Sequence, residues 1–204
     1  MKYLIFLKLL IINSFLFGQT NADSTTFSYL CENKYGVDFK IYAPYFKTDY
    51  HRAFIPTYNT YSCLPYFFSE ALINKNNLNH YIIYFEFNGF ASSKNDFKIL
   101  KKENPDFDKN KNYLCGSGKL ERDKGLINIY SIQDLKKFNA DSILCMRVDS
   151  LARVKNDPEL NDFIYVVAHK QNIGDLYVCF AYKKEYELEV IDEIKKLWKL
   201  IRFK

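Results

Sequence analysis

The chain has little of what most chemistry requires. It holds only three histidines, His51, His80 and His169, in 204 residues. It has no Gly-x-Ser-x-Gly turn, no His-Glu-x-x-His pair and no Cys-x-x-Cys pair. A strained serine elbow, a helical zinc site and a thioredoxin-like redox pair are therefore excluded. After the first residues no second long apolar run follows, so no membrane span is expected later in the chain. Internal repeats and low-complexity tracts are also missing. The positive charge is scattered among Lys, Asp and Glu, without the basic stripe that nucleic acid or an anionic membrane would need.

Several fragments start like known motifs and then fail on a required residue. Asp106, Asp108 and Asn110 begin a calcium loop. Its sixth position, where a sharp turn needs glycine, is Lys111, and its twelfth, where a bidentate glutamate closes the cage, is Ser117. Cys115-Gly116-Ser117 opens like a papain-type signature, yet Gly118 stands where the nucleophilic cysteine belongs. Gly118-Lys119 ends like a phosphate loop, but Tyr113 replaces the first glycine and no Ser or Thr follows the lysine. No cofactor and no metal are expected.

At the front, Met1 to Lys8 is basic and apolar, Leu9 to Ile12 is apolar, and the exit toward Ala22 is small and polar. This is the pattern of a signal peptide, cut after Ala22 or, alternatively, after Gly18. The apolar run is shorter than the roughly 20 residues of a span and Lys8 interrupts it. No lipid-attachment cysteine follows it, so no stable membrane anchor is expected after cleavage. Residues 23–204 suit one domain with a sizeable core. Loss of Lys2 and Lys8 takes the formal charge from +5 to +3. A secreted or periplasmic location follows from the leader.

Export permits disulfides, and five cysteines leave an odd one. Cys145 and Cys179 sit in apolar runs and behave as small hydrophobes. Cys31, Cys63 and Cys115 lie in polar or turn-rich surroundings, so a disulfide is expected between two of those three.

Periodicity places the elements. Val37, Phe39 and Ile41 alternate with Asp38 and Lys40 as a half-buried strand ending at Pro44. Ser62 to Ile73 reads as a short helix, Tyr81 to Phe87 as a strand, 91–124 as mostly loop, and Leu126 to Tyr130 as a short strand. Ser131 and Asp134 form a helix-start pair for Ile132 to Phe138, which stops near Asn139. Ser142 to Val148 is a strand. Phe163 to His169 and Leu176 to Tyr182 make a hairpin apolar on both faces, with His169 as the wet strand end. Val190, Ile191, Ile194, Leu197, Trp198 and Ile201 stripe one face of a final helix, acidic in front and basic behind, with Asp192 and Lys196 as a four-residue pair. The sum is an α+β fold: a mostly antiparallel β-sheet with packed helices, α/β/α sandwich-like, closed by a C-terminal amphipathic helix.

The stretch Tyr42 to Phe68 crowds aromatics and prolines between regular elements. Tyrosine pairs a rigid apolar ring with a polar tip, which suits contact surfaces. Tyr45, Tyr50, Arg52, Tyr58 and Tyr61 are the candidate binding residues; the competing reading makes these rings a plug for the core edge. A Cys/His pair drawn from Cys63 or Cys115 with His51, His80 or His169 would need hydrogen-bond reach in space.

Two segments, ENKYGVDFKIYAPYF and YVCFAYKKEYELEVIDEIKKLWKLIRF, together resemble the PsbP-like family of small secreted or lumenal domains. The first is similar to that family's opening strand, the second to its closing strand, acidic-start helix and final Arg-Phe. The family's early tryptophan is absent, with Tyr45 or Phe46 near its place. The resemblance implies an α/β/α sandwich and a non-enzymatic accessory role, and it transfers no site residues. The expected function is thus an exported accessory domain binding a protein or surface ligand. The rivals are a secreted thiol-dependent hydrolase with a Cys/His site and a periplasmic immunity-type inhibitor.

Overall fold

The computed structural model describes residues 26–49, 54–56, 68–89, 127–149, 152–154, 157–171 and 173–204. The expected leader, His51, Tyr50, Arg52, Tyr58, Tyr61, Cys63, Cys115 and the loop 91–124 lie outside them.

Long apolar runs build the centre. The strands β4 (Glu70–Asn74), β5 (Tyr81–Gly89), β6 (Ser142–Asp149), β8 (Asp162–Lys170) and β9 (Gly174–Tyr182) join the short β2 (Tyr45–Lys47) in one six-stranded sheet. Its order is β2-β4-β5-β9-β8-β6, and every pairing is antiparallel. β9 is buried along its whole length and β8 at all but its end residues. A strand covered on both faces has no use for polar alternation, which is why the hairpin reads as two continuous apolar runs.

On one face Ile83, Phe85, Ile164, Val166, Val178 and Phe180 meet the helices. These are α1 (Phe27–Leu30), α2 (Ile132–Phe138) and α3 (Glu187–Lys196), which contribute Phe27, Phe138, Val190 and Ile194. On the other face Tyr84, Tyr165, Val167 and Cys179 pack with Phe68, Val154 and Leu160. Two further antiparallel pairs complete the described chain: β1 (Val37–Phe39) with β10 (Ile201–Phe203), and β3 (Phe54–Pro56) with β7 (Ala152–Val154). The fold is α+β with a mostly antiparallel sheet. Among the described residues no helix is long and apolar enough to cross a membrane.

Several local expectations need correction. The segment expected to be a helix up to Ile73 is, from Glu70, the buried strand β4, because β2 and β5 offer it hydrogen-bonding edges on both sides. The strand expected up to Tyr130 is not formed at Ile127–Tyr130: the Ile127 N–H bonds Cys145 O at 2.9 Å, but no ladder follows. Ile201 leaves the helical stripe and enters β10, fully buried there. The helix pairs are Asp192 with Lys195 at 3.0 Å and Glu193 with Lys196 at 3.6 Å, one residue closer than expected, since positions three and four apart are both neighbours on a helix.

The start of α2 forms as the Ser131/Asp134 spacing predicts. The Asp134 carboxylate accepts from the Ser131 backbone N–H at 2.9 Å, its hydroxyl at 2.8 Å and Lys137 Nζ at 2.8 Å. Asn139 ends the helix in the left-handed region, φ 50°. Hydrogen bonding from Lys137, then from Ser131, holds the Asp134 carboxyl down to about 2. A carboxyl depressed by folding stabilises above its unfolded pKa and loses that contribution as pH falls through the folded one. Asp134→Ala should therefore cost about 1 kcal/mol at neutral pH, the usual size of a helix-start interaction. In urea unfolding the deficit should shrink as pH is lowered from 5 towards 2; a deficit constant over that range rejects this account.

Candidate binding cleft

The pairing of β1 with β10 brings the two ends of the described chain together. In β10, Ile201 and Phe203 point into the core and Arg202 points out. Asp38 is the register partner of Arg202, so both side chains share the outer face. Lys40 follows β1, tied by its N–H to Leu200 O at 2.8 Å. Trp198 and Lys199 come from the 3-10 turn Leu197–Lys199 that links α3 to β10. These five residues line a cavity of about 230 Å³ open to solvent.

Its electrostatics are lopsided. Asp38 accepts from Lys40 Nζ at 3.1 Å and from Arg202 Nε at 3.3 Å. Partial burial would lift the Asp38 carboxyl, but these two cations outweigh it and keep it below the usual carboxylate range. Lys199 Nζ stands 5.7 Å from the centre of the Trp198 ring, within cation–π range. Elsewhere on the described surface several cations each have a carboxylate of their own: Lys47 with Glu70, Lys137 with Asp134, Lys170 with Asp141, Lys183 with Glu159. In the cleft Lys40 and Arg202 share one carboxylate, and Lys199 stands beside them as a third cation. Such a site can hold an anion against an aromatic wall.

Sequence reasoning missed this cleft. It saw Asp38 and Lys40 as the wet face of a strand and Lys199 and Arg202 as the basic end of a helix. Nothing in the order of residues says that positions 38 and 202 are opposite one another.

The residues singled out from sequence fare differently. Tyr45 is buried in β2, and its hydroxyl donates to Glu193 of α3, pinning the helix to the edge strand. Burial, then that bond, pushes its pKa well up. Cys31, expected in a polar setting and available for a disulfide, is a free thiol with no exposed surface, packed in the helix-side core. The short α1 and the turn after it carry it inward, which the polar residues Glu32, Asn33 and Lys34 beside it conceal. Burial pushes the Cys31 and Cys145 thiols to about 12 and the Cys179 thiol higher still.

His80 stacks on Tyr186 with ring centres 3.6 Å apart and places Nδ1 3.1 Å from Glu189, fastening the β4–β5 turn to the start of α3. His169, expected at a wet strand end, is only 4% exposed. Its Nδ1 lies 2.8 Å from Oδ1 of Asp175, its register partner, and Asp175 also bonds the Tyr177 hydroxyl. Ser142 is the register partner of His169 on the other side. The row Ser142, His169, Asp175 has the residue types of a hydrolytic triad, but its His–Asp pair is buried on the core face of the hairpin, where it clasps β8 to β9. No family model, curated protein or solved structure matches this chain.

Proposed function

We propose that this protein is an exported accessory domain that works by binding, and that it holds an anionic group of its ligand in the Trp198 cleft. The observation that carries this reading is the local charge surplus: Lys40, Lys199 and Arg202 converge with Asp38 as the one carboxylate among the lining residues. Asp38 engages Lys40 and the Nε of Arg202, which orders both before a ligand arrives and reduces the entropy lost on binding. The guanidinium keeps donors beyond Nε in a planar fork suited to a carboxylate or phosphate. The PsbP-like resemblance of the two end segments implies the same kind of accessory role. Tyr50, Arg52, Tyr58 and Tyr61 belong to this reading as further contact residues. An immunity-type inhibitor is a special case of it, since such a protein also acts by binding.

Trp198 is the only tryptophan in the chain, so its emission reports on the cleft alone. Titration of the full chain with sodium acetate and with inorganic phosphate should change that emission saturably, beyond the effect of matched sodium chloride. Arg202→Gln should remove the response. Emission insensitive to both anions overturns the reading.

A further inference from the structure

From the size and charge of the cleft we infer that its occupant is an acidic segment of a partner polypeptide, which inserts one carboxylate side chain between Arg202 and Lys199 against the Trp198 ring. The inference rests on the binding function proposed above and names its partner class.

Size is the first argument. Pockets that enclose a whole small-molecule ligand are roughly 300–1,000 Å³. At about 230 Å³, and open, this cleft falls below that range and suits a single end group presented by something larger. Charge is the second. The cleft lining carries three cations and one carboxylate, while Lys195 and Lys196, on the helix leading to it, are each held by a carboxylate of their own. The same helix carries Glu187 and Glu189 in its first turn. A polyanion such as nucleic acid, or an anionic bilayer, needs a continuous basic track, and these acids interrupt one. A short acidic peptide needs only one anchored carboxylate and a neighbour. The third argument is the ring. Trp198 is half-buried, and an indole wall favours the methylene stem of Glu or Asp, which inorganic phosphate lacks.

The test is Trp198 emission, with calorimetry in parallel, on the full chain at low salt. The probes are capped hexaglutamate, capped hexaglutamine, inorganic phosphate and phosphatidylglycerol vesicles. Hexaglutamate should bind about tenfold or more tightly than phosphate, as expected for an added charge-assisted contact plus stem packing. Hexaglutamine should leave the emission unchanged. Arg202→Gln and Lys199→Gln should each weaken hexaglutamate binding; two separate substitutions guard against one of them merely loosening the β1–β10 pair. If phosphate or vesicles bind as well as hexaglutamate, the acidic-peptide inference falls while anion binding in the cleft stands. If hexaglutamine binds equally, charge is not what the cleft reads and the inference falls. If no probe moves the emission, both proposals fall together.

Discussion

Asp175→Ala should cost about 3 kcal/mol, the scale for removing one partner of a buried polar pair. At this chain length that lowers Tm by roughly 10 °C. The carboxylate is 3% exposed, sits 2.8 Å from His169 Nδ1 and accepts the Tyr177 hydroxyl. Burial, reinforced by the Asp175 charge, raises the Tyr177 pKa well above its ordinary range, so that hydroxyl stays protonated and keeps donating. Alanine would strip both groups of this acceptor at the turn end of the central hairpin. Asp175→Asn keeps an amide oxygen in place and should recover part of the loss. The double variant with His169→Ala should be less unstable than the two single losses added together, because each single change damages the same contact. Thermal unfolding of the four variants, the single His169→Ala included, measures this. Full additivity, or a Tm shift for Asp175→Ala under about 2 °C, would mean that the His169–Asp175 contact contributes little.

The second large effect concerns thiol chemistry. In the folded protein Cys31, Cys145 and Cys179 should resist iodoacetamide at neutral pH and react fully once the chain is unfolded in urea. A thiol pushed to about 12 holds about one thiolate in 10⁵ at pH 7, against a few per cent for an ordinary cysteine near 8.5. All three are also buried, which blocks the reagent as well as the ionisation. Peptide mapping after a timed pulse of reagent reads the result residue by residue. Rapid labelling of any of the three in the native state would contradict the burial described above. Rapid labelling at Cys63 or Cys115 near pH 6 would instead turn attention to the thiol-hydrolase reading.

These predictions fall where sequence and structure diverge. The hairpin Phe163 to Tyr182 was visible at once, because two β-rich apolar runs around a glycine have few other solutions. The same rule misled at Glu70 to Ile73, the described end of the segment expected to be a helix. A proline near the start and a compact apolar run fit a short helix as well as a covered strand, and periodicity does not separate them over so few residues. The edges of β2 and β5 decided for strand, and neither edge is local to the segment. His169 looked wet because Lys170, Gln171 and Asn172 follow it. Its burial comes from the sheet around it, with Asp175 across the hairpin and Ser142 on the outer strand. Cys31 looked polar for a similar reason, its neighbours in sequence being unlike its neighbours in space.

By itself the sequence determined what local patterning can encode: the α+β class, the antiparallel central hairpin, the helix start at Ser131 and Asp134, and an amphipathic helix near the end with acids before bases. It also excluded the metal, phosphate and serine motifs whose spacing failed. Only the tertiary structure decided that Asp38 would face Arg202, that Trp198 would wall a cleft between them, and that His169 and Cys31 would be buried. The physical reason is range. Capping, amphipathicity and turn chemistry act over three to five residues of chain, while a charge surplus or a buried pair depends on which distant segments the core draws together.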